Sequence, residues 1–398
     1  LRASRVGGDF TAAPDRHQLV WRKNMHFKKI AIAAAITSGF AFAASAQEMV
    51  VKIGHVAPTS GAQAHYGKDN ENGARMAIED LNAKPMTVGG KKVKFELLAE
   101  DDAADPKQGT AAAQKLVDAK VNAIVGHLNS GTTLPASAIY NQAGIPQVTP
   151  SATNPKIAQQ GFNTFFRILA NDNALGAGLA LYGQKALKAK NIAVIDDRTA
   201  YGQGVADVFS KTAEANGMKI VAREFTNDKA TDFNAILTKI KATNPDIVFY
   251  GGMDPQAGPM LRQMKAQGIN AKFMGGDGIC TDKLTELSGG ASNDTVICAE
   301  GGASLAKMPK GVEWKKRYDA KYPNQFQVYS PYTYDAVMLI ADAIKRAGSA
   351  EPAKIREALV KASYAGVTSK IEFDTIGELK NPSMTLYSYK DGKKVALN

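Results

Sequence analysis

Short apolar runs recur along this chain, separated by longer stretches in which apolar residues fall three and four positions apart. The runs at 50–56, 93–99, 121–125, 145–149, 164–168, 191–196, 218–225, 246–250, 272–275 and 295–299 predict strands. The stretches between them predict helices. One covers 68–82, with Ala74, Ala77, Ile78 and Leu81 on one face. Another opens at Asp105-Pro106, a cap followed by an N1 proline. Others open at Asn171-Asp172-Asn173, Tyr201-Gly202, Thr231-Asp232-Phe233 and Gly251 to Pro255, and three more fall at 312–321, 332–346 and 352–362. The segments 370–373 and 386–389 alternate like strands. Regular β–α alternation predicts parallel, doubly wound sheets. The strands are too many for one sheet and no linker interrupts them. Two α/β lobes that share the chain through several crossings fit this pattern.

The stretch 126–155 stands out. Two strands, 121–125 and 145–149, each end in a small, hydroxyl-rich loop that opens a helix: Gly126-His127-Leu128-Asn129-Ser130-Gly131 and Pro150-Ser151-Ala152-Thr153-Asn154-Pro155. In a parallel sheet such loops gather at the carboxyl ends of the strands, where ligands bind. Helix N-termini and hydroxyls suit a carboxylate. Ser130 and Thr153 are either plain N-caps or anion-holding groups, and two such loops on neighbouring strands favour a site.

From Met25 the N-terminal region has the layout of a secretory signal: Lys28-Lys29, an apolar core at 30–43, and Ala44-Ser45-Ala46 as the cleavage site. Residues 1–24 are left unassigned and 25–46 are assigned to the signal peptide. No Cys stands near the cleavage point, so a free protein in a Gram-negative periplasm is expected. Cleavage leaves 352 residues and lowers the formal net charge from +11 to +6, so much of the basicity is targeting sequence. The rest is spread along Lys-rich helices, a solvated surface rather than a nucleic-acid footprint. Cys280 and Cys298 flank one helix between two strands, either as a disulfide or as two buried thiols. With three histidines after residue 46 they are too few for a zinc site.

Catalytic motifs are missing from the sequence. Position 128 is Leu, so no G-x-S-x-G elbow surrounds Ser130; the G-x-G at 202–204 lacks a third glycine; no P-loop or H-E-x-x-H occurs. Asp101 and Asp102 read as a strand-end turn, and His127 as a hydrogen-bonded structural residue. No enzyme activity and no cofactor or metal are expected. What survives is a set of polar groups at strand ends: Ser130, Thr153, Tyr201 and Asp277. Hydroxyls and helix N-termini hold a carboxylate, one acid pairs an ammonium, and Tyr66 and Tyr201 wall an apolar pocket. Together they describe a zwitterionic amino acid with an apolar side chain. Asp277 has a second reading, as cap of a helix beginning near Thr281.

Segments 53–84, 101–117, 124–137 (IVGHLNSGTTLPAS), 149–155 (TPSATNP), 196–204 (DDRTAYGQG), 250–268 and 274–279 (MGGDGI) give the chain a resemblance to the branched-chain amino-acid binding proteins of ABC transporters, the type I periplasmic binding-protein family. The resemblance implies two Rossmann-like lobes joined by a three-strand hinge, lobe 1 at 47–168 plus 301–380 and lobe 2 at 169–300 plus 381–398. It implies a monomer that closes on leucine, isoleucine or valine and hands it to an inner-membrane permease. Ser130 with Asn129 would hold the carboxylate. Ser151 and Ala152 would contribute backbone groups, and Thr153 would serve both carboxylate and ammonium. Tyr201 would close over the ligand, Asp277 would pair the ammonium, and Tyr66 and Tyr329 would form aromatic walls, with Tyr332 and Tyr334 close to the latter in sequence. Two departures stand out: Met253 replaces a tyrosine of some members, and Asp277 a longer glutamate. A short amide, urea or an aromatic carboxylate is the alternative ligand on the same fold.

Overall fold

The computed structural model describes residues 48–397, and the expected signal peptide and the extension before it lie outside them. In chain order the elements are β1 (Glu48–Ala57), α1 (Ala64–Ala83), β2 (Thr87–Val88), β3 (Lys91–Asp101), α2 (Pro106–Asp118), β4 (Ala123–Gly126), α3 (Ser130–Ala143), β5 (Gln147–Thr149), β6 (Phe165–Arg167), α4 (Asp172–Lys185), β7 (Asn191–Asp196), α5 (Ala200–Ala215), β8 (Lys219–Phe225), α6 (Asn234–Ala242), β9 (Ile247–Gly251), α7 (Asp254–Ala266), β10 (Lys272–Gly275), α8 (Lys283–Leu287), β11 (Val296–Gly301), α9 (Gly311–Lys321), α10 (Ser330–Ala347), α11 (Pro352–Val360), β12 (Tyr364–Ala365), β13 (Lys370–Ile371), β14 (Met384–Lys390) and β15 (Lys393–Ala396).

The strands form two main sheets, ordered β2-β3-β1-β4-β5-β6 and β15-β14-β11-β10-β9-β7-β8. Pairing is parallel through β3-β1-β4-β5-β6 and through β8-β7-β9-β10-β11, and antiparallel only where β2, β14 and β15 join the edges. This is the doubly wound α/β class expected from the alternation. The central strands read as continuous apolar runs because helices cover both faces. In the first sheet Val56 and Ile124 pack with Leu116 and Tyr140 on one face, while Ile53 and Val125 face the α1 and α10 side. The chain passes between the sheets three times, after β6, after β11 and before β14.

Element starts follow local chemistry. Asp105 accepts hydrogen bonds from the N–H groups of Lys107 and Gln108, with Pro106 at the first helical position, and Thr199 caps α5 through the Gly202 N–H. The small edge strands β2, β12 and β15 were not expected from the pattern, being too short or too polar to stand out. Cys280 and Cys298 are joined as a disulfide with 5.5 Å between Cα atoms, which ties β11 to the loop after β10. A closed loop of this size stabilises by about 3 kcal/mol.

Both sheets change winding direction at an inner strand. The loops after β1 and β4 therefore diverge at one crevice, and those after β7 and β9 at another. These carboxyl-end loops carry the candidate site.

Candidate functional site

A small cavity of about 20 Å³ is lined by Leu128, Asn129, Ser130, Ser151, Thr153, Tyr201, Met253, Asp277 and Tyr329. Eight of the ten expected ligand contacts thus share one space. They come from both sheets: the loops after β4 and β5 and the start of α10 on one side, and those after β7, β9 and β10 on the other.

Ser130 is the first residue of α3 and does not cap it. Its Oγ accepts the Asn154 N–H at 3.1 Å, which leaves the hydroxyl proton to donate. The bond also ties the two ligand loops together. Thr153 is no cap either: Asn154 takes that role through Lys156 N, and the buried Thr153 hydroxyl lies near the Asp172 carboxylate without a well-formed hydrogen bond. A buried hydroxyl without a partner is costly unless a ligand supplies one. Asn129 donates to Gln63 Oε1 at 2.8 Å, while its own Oδ1 is buried and unpartnered.

Asp277 opens a short 3₁₀ turn after β10, and the helix beyond it starts only at Lys283, so the capping reading fails. Its Oδ2 accepts the Tyr329 hydroxyl at 2.9 Å, and its Oδ1 is buried with no partner. Burial raises its carboxyl to about 6, against the nearby Tyr201 and Tyr329 hydroxyls. Burial and the neighbouring Asp277 hold the Tyr201 and Tyr329 hydroxyls well above the ordinary tyrosine range, so both remain donors. The Tyr201 hydroxyl also accepts the Gly278 N–H at 2.9 Å. Glycine is required at 278: a Cβ there would stand 2.7 Å from both the Met253 sulfur and the Tyr201 ring.

Tyr66 and Ala152 lie outside the lining. The Tyr66 hydroxyl donates to the Gly278 carbonyl at 2.7 Å, and its ring centroid is 6.2 Å from that of Tyr329, so it braces the cavity from behind. The Ala152 N–H is taken by Thr149 Oγ1 at 2.9 Å, and its carbonyl accepts from Arg167. Of the three neighbouring tyrosines, Tyr329 alone lines the cavity; the Tyr334 hydroxyl turns away to Asp80 Oδ2 at 2.8 Å.

Arg167 is the side chain that the sequence reading missed. It is fully buried, donates to the carbonyls of Ala152 and Asn154, the latter at 2.9 Å, and meets Glu378 Oε2 at 3.0 Å. The signal was present: an arginine inside the apolar run Thr164-Phe165-Phe166-Arg167-Ile168 demands buried acceptors. Asp172, at the start of α4, is also buried, and burial followed by the nearby Asp277 raises it to about 8, against the Thr153 hydroxyl. His127 is structural, as expected: its ring nitrogens lie 3.2 Å from Asp102 Oδ2 and 2.8 Å from the Tyr140 hydroxyl. Its carbonyl accepts Thr149 Oγ1 at 3.1 Å, which holds the β4 and β5 loops in register. Among the described residues no cluster of His, Cys, Asp and Glu has metal-site geometry.

Two doubly wound sheets whose carboxyl ends meet around a small polar cavity define a two-lobed ligand-binding protein. The comparisons extend this: residues 50–394 match the periplasmic binding protein family, and the chain belongs to it. It is 37% identical over 369 residues to an amino acid binding protein of Pseudomonas aeruginosa, covering 92% of this chain and 97% of that one. It is 36% identical to the leucine-, isoleucine-, valine-, threonine- and alanine-binding protein of the same species, covering 90% and 94%. Among solved structures it resembles a leucine binding protein from Thermotoga maritima (TM-score 0.80, 27% identity, 87% of this chain and 98% of that one). It also resembles a branched-chain amino acid transporter substrate binding protein from Streptococcus pneumoniae in complex with isoleucine (TM-score 0.78, 27% identity, 87% and 99%).

Proposed function

We propose that this protein captures a branched-chain L-amino acid between two closing lobes in the periplasm and delivers it to the permease of an ABC transporter. One observation carries the reading. The cavity sets hydroxyl donors and a helix N-terminus on one side against a buried aspartate with a free oxygen on the other, with apolar and aromatic walls between them. The Ser130 hydroxyl and the first N–H groups of α3 would take the α-carboxylate. Asp277 Oδ1 and Thr153 Oγ1 would take the ammonium. Leu128, Met253, Tyr201 and Tyr329 would enclose the side chain. The names of the relatives support the same ligand class.

The mechanism is binding and closure. Burying an aliphatic side chain contributes roughly 1.5–3 kcal/mol. Each charge-assisted hydrogen bond at the α-groups adds roughly 1.5–3 kcal/mol before the cost of ordering. One methylene discriminates by about 1–3 kcal/mol, so leucine, isoleucine and valine share the site. The flexible thioether of Met253 adapts to their different branching. The lobes are divided as the crossings between the sheets imply, and the protein acts as a monomer. Mass spectrometry of the small molecule that co-purifies tests the proposal. A branched-chain amino acid is expected, and a short amide, urea or aromatic acid in its place contradicts it.

A further inference from the structure

His65 and Asp254 come from opposite sides of the cleft. α1 follows β1 of the six-stranded sheet, and α7 follows β9 of the seven-stranded one. His65 Nε2 lies 2.9 Å from Asp254 Oδ2 and 3.1 Å from Oδ1. Asp254 is fully buried at the first position of α7, where the helix N-terminus favours an anion. The Thr281 hydroxyl donates to its Oδ2 at 2.5 Å. Among the described residues, His65 is the one cation-forming side chain in ion-pair contact with it. The groups that face the pair are these: Tyr66 on α1, with its ring centroid 4.3 Å from the imidazole; Thr281 after β10; and Tyr250 and Tyr389, whose hydroxyls feel the Asp254 charge.

The pair also adjoins the walls of the cavity. His65 precedes Tyr66, which reaches across to the Gly278 carbonyl, and Asp254 follows Met253, which lines the cavity. We infer that His65 and Asp254 are the latch of the closed cleft, a positioning pair that sets Tyr66 and Met253 around the ligand and tightens binding when His65 is protonated. This rests on the amino-acid reading of the cleft. The contact bridges the two sides of the cleft, so opening would break it. An imidazolium–carboxylate bond is about twice as strong as its neutral counterpart. A ligand that selects the closed form gains whatever the latch gains. Asp277 titrates nearby and acts in the opposite sense on the ammonium, so the wild type must be read against a latch variant.

Calorimetry with L-leucine at pH 5.5 and 8.0 on the wild type, His65→Gln and Asp254→Asn tests the latch. The loss in affinity caused by either substitution is expected to be about threefold or more greater at pH 5.5 than at 8.0. A loss independent of pH in both variants, with melting curves that show intact folds, overturns the inference. Small-angle scattering of the ligand-free proteins reads the latch without ligand. The wild type should be more compact at pH 5.5 than at 8.0, and His65→Gln should not change. If none of the proteins binds leucine, the amino-acid reading fails and scattering alone decides: equal dimensions at both pH values in the wild type overturn the latch.

Discussion

The Tyr329 hydroxyl donates to Asp277 Oδ2 at 2.9 Å, joining the start of α10 beside the first sheet to the loop after β10 in the second. That bond occupies one oxygen of the acid and leaves Oδ1 buried and unpartnered in the cavity. In the proposed reading a ligand ammonium completes the set. Asp277→Ala should therefore weaken binding of L-leucine by roughly 2–5 kcal/mol, because the buried ammonium loses its counter-charge. Calorimetry checks this, and a carboxylate-only ligand should bind the variant no worse than the wild type. Equal loss for both ligands would contradict the assigned role.

The same acid sets a pH dependence in the ligand-free protein. Burial raises Asp277 from an ordinary 3.8 to about 6. Between those values the native state holds a proton that the unfolded chain has released. The stability that goes with this proton is fully present below 3.8 and is lost as pH rises through about 6. Asp277→Asn should remove that loss. Urea unfolding at pH 5 and 8 should show a smaller fall in stability for the variant than for the wild type, and equal falls would contradict it.

Thr153 Oγ1 makes no well-formed hydrogen bond within the protein, and the proposed reading gives its hydroxyl to the ligand. Thr153→Val should cost about 1.5 kcal/mol of leucine affinity. The melting temperature of the ligand-free variant should stay level or rise. A fall in stability without loss of affinity would reverse the assignment.

Arg167 holds the 151–154 loop through two carbonyls and pairs with Glu378. Arg167→Met should destabilise by about 3–5 kcal/mol, since it strands a partly buried carboxylate and two carbonyls. It should also weaken leucine binding, because Ser151 and Thr153 lose their support. Thermal unfolding and calorimetry on the same samples separate the two effects.

The strand-end logic was legible in the sequence: parallel strands in apolar runs must end in loops that gather, and hydroxyls at 130 and 153 with an acid at 277 mark loops that line the cavity. Spacing alone left the hydrogen bonds of those loops open. Ser130 and Thr153 read equally well as caps until Asn129 and Asn154 were found at the cap positions. Ala152 was expected to contact the ligand through its backbone; its N–H goes to Thr149, three residues back, while its carbonyl accepts from Arg167, a partner that no local pattern reports. Tyr66 was expected as a wall and braces Gly278 instead, a contact across 212 residues. Long-range polar partners of this kind are set by tertiary packing, which hydrophobic periodicity does not encode.

The most direct measurement is calorimetry on protein that has been unfolded, stripped of ligand and refolded, titrated with L-leucine, L-isoleucine, L-valine and D-leucine. Saturable one-to-one heat with all three L-amino acids, and much weaker binding of D-leucine, is the expected result. A refolded sample that melts cooperatively and gives no heat with any of the three would contradict the account.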